Sequence, residues 1–193
     1  MKLKNLFFFG VIISLITPAI DAGETKPQSK WLNMKNFFKH IVAPSILGSY
    51  FSSMCHELGH AAIEQLFFKD VNLIAIGNGP GIYYNSPRFT AGIGLIPWGG
   101  LMGYISSEIP NKKSDILKKI AMVIAGPISG MVGLQLFFKY LKKYHFSDSE
   151  YPCADFMNIF MTLHEAINLL PIKDQKTDGA IIAQLLSALV NKK

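Results

Sequence analysis

From Ile120 to Phe138 the chain reads IAMVIAGPISGMVGLQLFF, with Lys119 and Lys139 as its nearest charges. As a helix it is long enough to cross a hydrocarbon core of about 30 Å. A bilayer interior offers no water to backbone N–H and C=O groups, and a helix satisfies them within one segment. Gly126 and Gly130 stand four apart within it, and small residues at that spacing let helices approach closely. Composition agrees with a membrane. Only 17% of the residues are charged, against about 25% in average soluble chains. The mean hydropathy of +0.27 is modest, so spans must be short or loops polar. The net charge is +6, without the basic-aromatic blocks of a nucleic-acid binder. Lysines beside anionic lipid explain the excess. The two cysteines, Cys55 and Cys153, form no C-x-x-C pair and no disulfide framework.

Other segments follow the same pattern. MKLKN leads into LFFFGVIISLITPAI (6–20) and then small residues at Ala19 and Ala22. Residues 1–22 therefore read as a signal peptide or an uncleaved N-terminal anchor. Residues 23–39 read as a polar linker and an interfacial segment, with Trp31, Phe37 and Phe38 among lysines. Residues 40–193 are expected to form one membrane-embedded domain. Ile41 to Cys55 is uncharged, and no proline follows Pro44 before residue 80, so one helix can run on to Phe68. Residues 70–110 change character: Gly, Pro and Asn punctuate short β-prone runs (NLIAI, GIYY, FTAGIGLI), the pattern of a hairpin. Tyr83 and Tyr84 read as interface anchors. Residues 156–172 form another apolar segment. AIIAQLLSALV (180–190) is short for a span, and either continues the helix before it or lies at the interface. The expected fold is an all-α polytopic membrane protein with a small β-hairpin insert.

The chemistry lies at the end of the first apolar helix, in SMCHELGHAAIEQ (53–65). On a helix, residues four apart share a face. His56 and His60 can thus offer two imidazole nitrogens to one zinc ion. Glu57 is placed to take a proton from the attacking water. Each such group would cost roughly 2.5–3.5 kcal/mol facing lipid, so they are expected to face a polar cavity. A further protein ligand is needed, and Glu64, Asp70, His164, Asp174 and Asp178 are candidates. His164 and Glu165 either support the ligands from behind or sit near the membrane boundary facing water. Cys55 reads as a buried small apolar residue.

Five stretches in order resemble the site-2 protease family of intramembrane zinc metalloproteases. CHELGH looks like its first zinc motif and AIGNGPGIYY (75–84) like its G-x-G-P stretch. LIPWGGLMGY (95–104) is similar to its I-P-x-G-G segment and IAGPISG (124–130) to its A-G-P helix. NLLPIKDQKTDG (168–179) looks like its N-x-x-P…D-G motif. The resemblance implies Zn²⁺ as cofactor, with His56, His60 and Asp178 as metal ligands in a site between transmembrane helices. It implies Glu57 as base and Asn168 as a residue positioning the substrate carbonyl or the water. It also implies a segment around 91–100 that offers an edge strand to an extended substrate. Asp178 follows Asn168 by ten residues, where the family usually has eight, so Asp174 is a rival ligand. The implied partners are the lipid bilayer and a membrane-spanning protein substrate. The implied location is multi-pass in a membrane, the bacterial cytoplasmic membrane being the expected one. Two other readings stay open: an exported zincin cutting soluble peptides, and an inactive relative that binds membrane proteins.

Overall fold

The computed structural model describes residues 34, 37–68, 71, 73–86, 89–103, 109–144, 151–172 and 177–191. Segment 1–22, most of the linker, Asp70 and Asp174 lie outside the described residues. Residues Pro44–Lys193 form one compact unit. A π-helical turn, Phe38–Val42, precedes it.

Helix α1 spans Ala43–Phe67. Pro44 falls in its first turn, where a missing N–H costs little, and no later residue interrupts it. Strands β1 (Leu73–Asn85) and β2 (Thr90–Gly103) follow. Helix α2 runs Lys113–Tyr144, about 48 Å at 1.5 Å per residue. Its first turn holds Asp115 and its last turn Lys142 and Lys143, each sign opposite to the helix-dipole charge at that end. Among the described residues it is the one helix long and apolar enough to cross a membrane. Helix α3 (Tyr151–Ile167) ends in a tightened turn, with Asn168, Leu169 and Leu170 N–H groups bonded three residues back. Pro171, which lacks an N–H, cannot continue it. Helix α4 is Asp178–Asn191. It is a separate helix rather than an extension of α3, because Thr177 starts it afresh. The Thr177 hydroxyl accepts the Ala180 N–H at 3.2 Å and donates to the Leu170 carbonyl at 2.9 Å. This is an N-cap that also ties the cap to the end of α3.

The insert is not a simple hairpin. Leu73–Ile76 runs parallel to Thr90–Ile93 and, on its other side, antiparallel to Gly100–Gly103. Gly81–Asn85 turns back antiparallel to Thr90–Gly94. The reversal inside β1 falls at Gly77 and Gly79, with φ of 74° and 79°, a region that only glycine enters freely. Consequently Thr90–Ile93 is paired on both sides. The edge strand expected near 91–100 is instead an interior strand over its first part, and among the described residues the unpaired edges are the limbs 81–85 and 100–103. Tyr50 on α1 donates to the Gly94 carbonyl at 2.8 Å. This fixes the sheet to α1 six residues, about 9 Å, before His56.

The helices pack α2 against α3 and α2 against α4. Ala61, Ile116, Met122, Val123 and Leu185 form the core where α1, α2 and α4 meet. Elsewhere the usual distribution is inverted. Ser49, Ser52, Glu57, His60, Glu64, Lys119, Glu165 and Thr177 are buried, while Ile128, Val132, Leu136, Tyr140 and Tyr144 are exposed along one face of α2. Phe156, Ile159 and Leu163 do the same on α3. Residues at these i, i+3, i+4 spacings share a helix face.

Candidate metal centre

Ser52, His56 and His60 lie four residues apart, so α1 presents all three on one face. The Thr177 cap starts α4 so that Asp178 is its first residue. The Gly179 N–H donates to the Asn168 carbonyl at 2.8 Å, which closes the loop carrying Asp178. Gly179 has to be small here: a Cβ on it would lie 2.2 Å from the Leu169 carbonyl oxygen. The Asp-Gly pair thus has a packing reason. Asp178 stands at the histidines although it follows Asn168 by ten residues.

His56 Nε2 and His60 Nε2 are 3.0 Å apart. Asp178 Oδ2 stands 3.2 Å from His56 Nε2, and Oδ1 stands 3.7 Å from His60 Nε2. Donors about 2.0–2.1 Å from a tetrahedral zinc are separated by about 3.3–3.4 Å. The separation of the two imidazole nitrogens is close to that edge length, and each has one oxygen of the Asp178 carboxylate at a similar distance, His56 the Oδ2 and His60 the Oδ1.

The hydrogen bonds behind the rings show what the cluster needs. His60 Nδ1 is 2.8 Å from the Met122 carbonyl, which can only accept, so Nδ1 carries the hydrogen. His56 Nδ1 is 2.9 Å from Glu165 Oε2, a carboxylate oxygen that also accepts. In a neutral imidazole the other nitrogen then has a bare lone pair. Two such lone pairs and a carboxylate converge on one point, which suits a metal ion there or a proton shared between them. The site is largely enclosed, with side-chain exposures of 12% for His56, 10% for His60 and 17% for Asp178. A divalent zinc fits the spacing, the ligand types and the enclosure.

Helix α2 makes room for this cluster. A Cβ on Gly126 would lie 2.2 Å from His60 Nε2, and one on Gly130 would lie 3.0 Å from the Glu165 carboxyl carbon. Gly133 stands in the same way against Cys55, where a Cβ would be 2.6 Å from Sγ. The glycines therefore do more than bring helices together; Gly126 leaves space for His60, and Gly130 for Glu165 behind His56. Gly126→Ala should lower stability by about 1–3 kcal/mol, the usual cost of overpacking. The His60 ring cannot swing aside without giving up its Met122 bond. Gly130→Ala, facing the end of a longer side chain, should cost less. Denaturant unfolding of the two variants in detergent measures the difference.

The structure brings His56, His60 and Asp178 together, all within 4.8 Å by their ligand atoms. Glu57 is buried beside them on α1. Asn168 joins the loop through its carbonyl and is half-buried. Glu64 is buried on α1 and is not among the three grouped residues. His164 is exposed, whereas its neighbour Glu165 is buried. Cys55 is half-buried rather than buried. Tyr83 and Tyr84 are exposed on the insert. Sequence reasoning missed Ser52 and Thr177. The available signals were the four-residue spacing of Ser52 from His56 and the threonine immediately before Asp-Gly.

The family model described as Peptidase family M50 matches residues 45–146. The match includes the two histidines and the glycines of α2, and it ends before Asn168 and Asp178. No curated protein matches the chain.

Proposed function

The chain belongs to peptidase family M50, the site-2 protease family of zinc metalloproteases, and from that premise we propose that it hydrolyses a peptide bond in or near a transmembrane segment of a substrate protein. The observation that carries this reading is the convergence of His56, His60 and Asp178, whose ligand atoms lie within 4.8 Å of one another. These three residues would hold the metal. When bound, zinc supplies a Lewis acid that polarises the scissile carbonyl and makes water acidic enough to attack. Glu57 accepts the proton of the attacking water and returns it to the leaving amine. Asn168, at the loop that carries Asp178, orients the carbonyl or the water.

A membrane-multispanning arrangement is supported by α2 and by the outward apolar faces of α2 and α3. The polar residues turn inward, as membrane proteins place them. A helical substrate hides its carbonyls in its own hydrogen bonds and has to unwind to be cut. An open sheet edge can hold an unwound segment by strand addition. The limb 81–85 is such an edge, with Ile82 86% exposed.

The test uses purified full-length protein reconstituted in liposomes with a panel of single-span model proteins that carry Gly or Pro within the span. Fragments cut within the span, and resistance of the protease to alkaline carbonate, are expected. Cutting of the same sequences only as soluble peptides, or extraction by carbonate, would overturn the intramembrane reading.

A further inference from the structure

We propose that Glu165, held in place by Ser52, is a positioning residue that sets His56 for the metal. The inference rests on the metalloprotease reading above and adds a residue outside the matched region. Ser52 donates its hydroxyl to Glu165 Oε1 at 2.5 Å, and Glu165 Oε2 accepts from His56 Nδ1 at 2.9 Å. Both carboxylate oxygens are thus engaged, and the carboxylate cannot rotate away from the ring. Glu165 is 6% exposed and Ser52 is 3% exposed, so water does not compete for these bonds.

The choice of ring nitrogen separates positioning from simple packing. Glu165 engages Nδ1, while Nε2 is the atom that faces His60 and Asp178. A carboxylate on Nδ1–H holds the tautomer in which Nε2 can bind metal, and makes that nitrogen a stronger donor. His60 has its Nδ1 held by a different device, the Met122 backbone carbonyl. The two histidines are therefore unequal: one is oriented by a charge from α3 and one by a dipole from α2. Gly130 leaves the space that the Glu165 carboxyl group occupies. Three elements, α1, α2 and α3, cooperate to orient one ligand.

The experiment measures zinc affinity by chelator competition on the full chain in detergent, for wild type, Glu165→Leu, Glu165→Gln, Ser52→Ala and His56→Ala. The absorption spectrum of each cobalt-loaded protein and the unfolding midpoint of each metal-free protein are recorded alongside. Glu165→Leu is expected to weaken zinc binding by about 10–100-fold, the usual effect of losing such a support. Glu165→Gln keeps an acceptor without the charge and should fall between Leu and wild type. Ser52→Ala should weaken binding by less than either. The cobalt spectrum should shift in the Leu variant.

Wild-type affinity and an unshifted cobalt spectrum in Glu165→Leu, with His56→Ala losing zinc, would overturn the positioning role and leave the protease reading intact. So would a lowered midpoint of the metal-free protein without any change in spectrum, because that describes a tie between helices. If Glu165→Leu does not fold, unchanged affinity in both Glu165→Gln and Ser52→Ala overturns the role. Zinc retained at full affinity by His56→Ala would instead overturn the metal site itself.

Discussion

Exchanging Glu57 for glutamine should leave about one zinc per chain and lower peptide hydrolysis by about 10²–10⁴-fold, the range ascribed to a positioned general base. Glutamine has nearly the shape of glutamate and can still accept a hydrogen bond, but it cannot take a proton from water. The residue is buried on α1 between His56 and His60 in the chain, so the near-isosteric change is the one least apt to disturb the two histidines. Metal content by elemental analysis and turnover of a reconstituted single-span protein have to be read together. Loss of turnover with zinc retained assigns Glu57 to chemistry. Unchanged turnover would remove it from the mechanism and point to an inactive relative whose binding does not depend on this carboxylate.

Asp178→Ala should release the metal. Two imidazoles remain at 3.0 Å, but two neutral ligands on one helix hold zinc much less firmly than a closed set with a carboxylate. The expected result is a chain purified with well below one zinc, while Asp174→Ala keeps its full complement. Because apo and loaded forms differ by the binding free energy, zinc should raise the unfolding midpoint of wild type and leave that of Asp178→Ala nearly unmoved. Full zinc content in Asp178→Ala, with loss in Asp174→Ala, would exchange the ligand assignments. Gly179→Ala is not an adequate substitute for this test, since its Cβ would strike the Leu169 carbonyl and displace the whole loop.

Much of the site can be read along α1 alone. Helical periodicity places His56 and His60 on one face, and the cost of polar groups in an apolar helix calls for something to bind them. The same periodicity extends to Ser52, one turn earlier, although a serine in an apolar run carries too little chemical signal to stand out. The GxxxG pair on α2 announces close packing. It does not announce what is packed, which proves to be His60 at Gly126 and Glu165 at Gly130. Glu165 could be read either as a support or as a boundary residue. Its burial and its bond to Nδ1 exclude a boundary residue facing water, and both depend on how α3 lies against α1.

The insert shows the limit from another side. Its β-prone runs and its turn residues are visible in order, but strand pairing is a long-range property. Positive φ at Gly77 and Gly79 lets β1 fold back. Only the resulting register shows that Thr90–Ile93 is enclosed and that 81–85 is open.

By itself, the sequence determined the elements whose causes are local: the uncharged helix of α2, the two histidines on one face of α1 with Glu57 next to the first, and the turn-rich insert. Three-dimensional packing decided the rest. The Thr177 cap and the close approach of Gly179 to Leu169 bring Asp178 to the histidines across more than a hundred residues. Coordination needs donors within a few ångströms of one another, and no periodicity in one segment can specify a distance to another.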